Sequence, residues 1–255
     1  MNLAVIPETA AAFMIAFARI GTLVMLMPGI GERLISVRIR LTIAVLLTMV
    51  LLPVIRPTLT LPGPDAAPAL VMLLVSEIGI GLVIGFSVRM IVASLQTAGT
   101  IIAQNLNLSF AMAVDPALGT QNVTIANFLA LLGTAMVFAT DLHHLAIVGI
   151  HDSYQMMPPG RLPPSSDAAM LVLSSLARGF VISVQVAAPF IAFGILFNLA
   201  LGLLARLMPQ IQVFFISIPA SILLGMVLLA ATIGVMMAVY VGALRGFLGE
   251  LVVTR

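Results

Sequence analysis

No cysteine occurs among the 255 residues, and this excludes disulfides, thiolate metal sites and cysteine nucleophiles. Lysine is absent too. The formal charge of +2 comes from eleven arginines against nine acids, so no basic cluster exists to hold nucleic acid. Charged residues make up only 8% of the chain. Soluble domains carry roughly 25%. What is present is apolar: 62% of the residues are hydrophobic, against about 45–50% in soluble domains. Water is therefore not the main solvent of this chain, and the composition predicts an all-α integral membrane protein in contact with lipid. The opening MNLAVIPETA has Glu8 where a cleaved leader would carry positive charge, so the first apolar run is expected to stay as a helix.

Six apolar segments stand out, at 10–28, 39–55, 67–95, 123–150, 168–206 and 213–248, divided by Pro- and Gly-rich turns. About 20 helical residues cross a ~30 Å hydrocarbon core. The first two segments fit that length. The last two would be on the order of 55 Å long, and tilt alone would need roughly 60° to fit them, beyond the usual 0–40°. Either Pro189 and Pro219 kink these helices, or the helices project past the lipid and are buried by other chains. Length combined with sparse polar interruption favours a multi-subunit assembly. No polar connection is long enough for a soluble domain, so 1–255 reads as one membrane unit. Arg33, Arg38 and Arg40 follow the first segment, and by the positive-inside rule they place residues 29–40 in the cytoplasm.

Glu77 and Arg89 lie within the third segment, where ionisable groups are expensive and mark function or pairing. Twelve residues apart, roughly 18 Å along a helix, they cannot pair with each other. Interhelical or intersubunit partners are expected. Gly81 and Gly85 make a close-packing helix face rather than a phosphate cradle. Asp141, His144 and His151 fall within one arc of a continuous helix, but at a spacing that matches no established metal motif. They read as a polar helix end buried against a partner. No catalytic set, metal site or cofactor is expected.

Residues 104–122, QNLNLSFAMAVDPALGTQN, are too polar for lipid and too apolar for an ordinary surface loop. Irregular backbone at membrane depth is tolerated where it lines a cavity. At this point two classes stand open: a transporter with a broken-helix site coupling through Glu77, Arg89 and Asp141, and a subunit of a larger translocation pore.

FAMAVDPALGTQN, HHLAIVGIHDSYQMMPPG and GLLARLMPQIQVFFISIPASILLG together resemble the FliR family of flagellar biosynthesis proteins, whose injectisome counterparts form the SctT family. Val114, Asp115 and Pro116 resemble its central motif. His143, Asp152, Ser153, Gln155, Pro158 and Gly160 match a helix and the D-S-[FY]-Q-x-x-P-x-G turn after it. Pro209, Gln210, Val213, Phe214, Phe215, Ile216, Pro219 and Gly225 match the P-Q-x-x-V-F-F-I block, and Pro28, Gly31, Arg38, Arg40, Leu41 and Pro53 an N-terminal pattern. The resemblance runs in order over essentially the whole chain. It departs at Asp141-Leu142, where Asn-Gly is usual, and at the doubled proline of Pro159.

The resemblance implies a subunit of the type III export gate with no catalytic chemistry, in the bacterial inner membrane at the flagellar basal body. It implies FliP-like and FliQ-like subunits around a central conduit, an FlhB-like protein at the base, and unfolded export substrates passing through. Part of the complex would stand above the bilayer on the periplasmic side. Residues 1–167 would be FliP-like and 168–255 a FliQ-like helical hairpin. The central loop becomes a pore plug built from Asn107, Ser109, Phe110, Met112, Val114, Asp115, Pro116, Leu118 and Gly119. Its small and weakly apolar side chains suit a seal that gates by excluding water and can be released. Subunit contacts are expected at Arg38, Arg40, Glu77, Arg89, Asp141 and His143. The hairpin tip adds Pro209, Gln210, Phe214 and Phe215, where adjacent phenylalanines cannot share one helix face.

Overall fold

In the computed structural model the described residues are 5–31, 35–59, 67–107, 121–161, 164–208 and 213–252; the side chains of 5–7, 121–124 and 213–216 lie outside the description. Every regular element among them is helical: α1 Val5–Leu26, α2 Val37–Ile55, α3 Ala67–Asn105, α4 Gln121–Ala139, α5 Leu142–Met156, α6 Ser165–Leu207 and α7 Val213–Glu250. Five of these are long and apolar enough to cross a membrane, or six if the bent pair α4–α5 is one span. The protein is an all-α integral membrane protein.

The sequence accounts for both ends of α2. Ser36 stands at the N-cap of α2, its hydroxyl accepting from Ile39 N at 3.5 Å. Pro53 sits near the C-terminal end of α2, and a single 3-10 turn at Arg56–Thr58 finishes the run. Pro189 and Pro219 do not divide their helices, because α6 and α7 continue through both as single elements of 43 and 38 residues.

Two expectations need correction. The fourth apolar segment is two helices bent by 76° at residues 140–141, not one. Its cause is local: Asp141 adopts φ 56, ψ 18, the left-handed conformation that ends a helix and that Asp and Asn tolerate best among non-glycine residues. An Asn or Asp before the histidine is what that position requires. The polar stretch 104–122 is also shorter as a loop than its composition implied. Gln104 and Asn105 belong to α3, where the Asn105 amide donates to Ile101 O at 2.9 Å, and Gln121 and Asn122 already open α4.

The chain packs as two compact units, the first comprising 1–91, 137–176 and 245–255, and the second 92–136 and 177–244. In the first, α1 buries a helical stripe, Ala12, Ile15, Ala16, Ile20, Leu23 and Val24, at the i, i+3, i+4 spacing of one face. Gly81 and Gly85 of α3 bring that helix against α1, where Thr22 and Leu26 occupy the space a Cβ would need. In the second unit, α3 contributes Leu95, Ala98 and Ile102, the turn after it Leu106, α6 Val186 and Phe190, and α7 Tyr240 and Leu244, all fully or nearly fully buried.

The outer faces are as apolar as the core. On α2 only Ala44, Thr48 and Ile55 are buried, while Val50, Met49 and Leu46 are more than half exposed. Leu196, Leu199 and Leu207 of α6 and Leu223, Val227 and Val235 of α7 are also each more than 60% exposed. Water would not tolerate such surfaces, and lipid or other protein chains must cover them.

Candidate functional site

The most polar place inside the first unit is built on Arg19, which the apolar stripe of α1 carries into the core with no exposed surface. A buried guanidinium is tolerated only when its charge is matched and its N–H groups are used. Both conditions hold. Arg19 Nε donates to Glu77 Oε2 at 2.8 Å and Nη2 donates to Glu77 Oε1 at 3.0 Å, the two-pronged geometry that a planar fork makes with a carboxylate. Nη1 donates to Ser153 O at 3.0 Å and to Met157 O at 2.9 Å, carbonyls at the C-terminal end of α5, where positive charge is favoured. The Tyr154 ring stacks against the guanidinium, 4.2 Å from centroid to Cζ, and its hydroxyl donates to Ala16 O at 3.3 Å. Gly160 N closes the set on Glu77 Oε1 at 3.3 Å, from a backbone at φ +79 that glycine adopts without strain.

One side chain of α1 thus ties together α3, the end of α5 and the turn after it. Glu77, expected at a subunit interface, is spent inside the chain: it is fully buried and both oxygens are engaged. With three donors on its carboxylate Glu77 is committed to holding the chain together, which weighs against ion coupling through it. Arg19 is the residue the sequence reading missed. The signal was its place within an apolar run, opposite the unexplained Glu77. Arg89 is half-buried on α3, Arg38 is exposed at the start of α2, and Arg40 is half-buried two residues on.

The break between α4 and α5 regroups the residues expected on one helix face. Asp141 stands outside α5 as its left-handed N-cap, so the face does not exist. His151 instead pairs with its neighbour Asp152, Nδ1 to Oδ1 at 2.7 Å. His144 stays with Asp141, Nδ1 to Oδ1 at 3.5 Å, and His143 joins them in place of His151. The chemistry of that group is a possible cation site.

The central loop itself, with Ser109, Phe110, Met112, Val114, Asp115, Pro116, Leu118 and Gly119, lies outside the described residues, as do Pro209 and Gln210; Phe214 and Phe215 are described only as backbone of α7. The take-off of the loop is described, and it is anchored. Leu106 is fully buried against Gly225 of α7, where any Cβ would overlap its side chain. Ser221 Oγ donates to Leu106 O at 3.1 Å, capturing a carbonyl freed at the end of α3. Asn107 then turns the chain with φ 57. Two residues of α7 thus hold the point from which the loop departs.

The fold and these sites define a polytopic helical membrane protein whose visible polar groups join helices to one another and whose apolar outer faces await lipid or partner chains. Over 219 residues, 86% of this chain and 87% of the relative, it is 43% identical to the flagellar biosynthetic protein FliR of Caulobacter vibrioides. It is 31% identical to the protein of that name in Escherichia coli (84% of this chain, 80% of the relative) and 28% identical to the one in Bacillus subtilis (89% and 88%). The chain belongs to this FliR family, the bacterial export proteins of family 1, whose family model matches residues 10–247.

Proposed function

We propose that this chain is a subunit of the flagellar type III export gate in the bacterial inner membrane, where it helps form and close the conduit for unfolded export substrates. The observation that carries the reading is the family match from residue 10 to 247, which covers most of this sequence. Its partners are FliP-like and FliQ-like subunits around the conduit and an FlhB-like protein at the base. Residues 1–167 act as the FliP-like part and 168–255 as the FliQ-like hairpin. The chain acts by shape and packing, without catalytic chemistry of its own.

Two structural features support this reading. Helices of 39, 43 and 38 residues, with apolar side chains exposed along α6 and α7, have more greasy surface than a ~30 Å lipid core would cover. The point at which the chain leaves α3 is held by Ser221 and Gly225, as the fixed base of a plug requires. In the gate, Phe110, Met112 and Leu118 form the seal, and Asp115 and Pro116 shape the turn. Co-purification tests the assignment. Expressed with its neighbouring export genes, the tagged chain is expected to bring down FliP- and FliQ-like subunits in one detergent-stable complex, and alone it is expected to aggregate. A chain that purifies alone as a monodisperse, stable species and recruits neither partner overturns the proposal.

A further inference from the structure

We propose that Asp141, His143 and His144 form a three-ligand site for a divalent transition-metal ion at the break between α4 and α5, with zinc the ion that best suits the donors. Neighbouring residues of a regular helix point about 100° apart. Yet the rings of His143 and His144, in the first turn of α5, converge with centroids 4.1 Å apart. One ligand atom of each of the three residues lies within 4.8 Å of the others. Zinc takes imidazole nitrogen and carboxylate oxygen at about 2.0–2.2 Å, which puts tetrahedral ligand atoms roughly 3.3 Å apart. Asp141 Oδ1 and His144 Nδ1, at 3.5 Å, are already at that spacing. Only the third donor has to close in, and Asp141 and His144 are 76% and 70% exposed, free to rotate toward it.

A second observation concerns His143. Its Nδ1 is shut away from solvent and has no hydrogen-bond partner among the described residues, so the ring carries a nitrogen whose bonding capacity is unspent. Leaving a buried polar atom unused costs about 1–3 kcal/mol, and ligation of the ion through Nδ1 itself would use it. Phe138 holds the ring from the other side, 5.3 Å between centroids. Two imidazoles and a carboxylate are donors that borderline divalent ions prefer over calcium or magnesium. Three protein ligands leave a fourth position for water or for a donor from another chain. The ion would join the left-handed cap residue to the first turn of α5.

The test uses the full chain with its co-isolated partners, purified through a tag free of histidine and stripped with chelator. Equilibrium dialysis against buffered Zn²⁺ should give one ion per chain. His143→Ala and His144→Ala should each weaken binding by about 100-fold or more, and Asp141→Asn by at least about tenfold; His151→Ala should bind as the parent does. Should a histidine variant fail to fold, the unmodified complex decides: Zn²⁺ should raise its melting temperature reversibly, with chelator undoing the shift. The absence of stoichiometric binding, or equal binding by the His143 and His144 variants, overturns the proposal and leaves only a surface His–Asp pair.

Discussion

Removing the carboxylate of Glu77 should be among the most damaging single changes in the chain. Glu77→Met deletes two of the four hydrogen bonds of Arg19, both charge-assisted, and strands a fully buried guanidinium on two carbonyls and a tyrosine ring. Breaking a buried pair from one side costs about 3–5 kcal/mol, because the remaining charge is uncompensated. Arg19→Met should cost about as much, since it leaves the Glu77 carboxylate buried with only Gly160 N. The double change Arg19→Met with Glu77→Met removes both charges and fills similar volume, so most of the loss should be recovered. The double-mutant cycle therefore predicts a coupling of at least about 2 kcal/mol. Thermal denaturation of the isolated complex, with intact protein in membranes as a second readout, measures it. At about 2–4 °C per kcal/mol for a chain of this size, either single change should lower the transition by on the order of 10 °C. If the two single losses simply add, or if both stay within about 0.5 kcal/mol of the parent, the ion pair does not hold these helices together and the reasoning fails.

Removing residues 108–119, which spares the anchored Leu106, should raise ion conductance through the assembled gate without reducing its yield; unchanged conductance in planar bilayers would count against a plug. Gly225→Val should drive a side chain into Leu106, costing about 1–3 kcal/mol by overpacking and lowering the recovered complex, and Leu106→Ala in the same chain should restore part of the yield. Parent-level recovery of Gly225→Val by size-exclusion chromatography would show that α7 does not hold the loop base closely.

The solvent class and secondary structure of this protein were legible because both are properties of local pattern. Apolar runs and Pro-Gly dividers located every long helix, though α3 continues to Asn105, ten residues past its apolar segment, and one break went unseen. That break lies at residues 140–141, where a single left-handed Asp141 overrides an apolar pattern that continues across it. Periodicity reports which face of a helix is greasy, and it carries no information about one residue's backbone angles. The same blindness misassigned His151, whose place beside Asp141 assumed a straight helix.

What the sequence determined by itself was that the chain lives in lipid, that it is helical, and that its motifs in their order belong to one export family. These follow from composition and from residues close along the chain. Only the tertiary structure decided that Glu77 is answered by Arg19 across 58 positions, that Tyr154 and the carbonyls of Ser153 and Met157 complete that site, and that Leu106 seats against Gly225. Pairings across such separations depend on which helix faces meet. That choice belongs to packing the whole chain, because a buried charge or a missing Cβ has meaning only beside the group that fills the space opposite it.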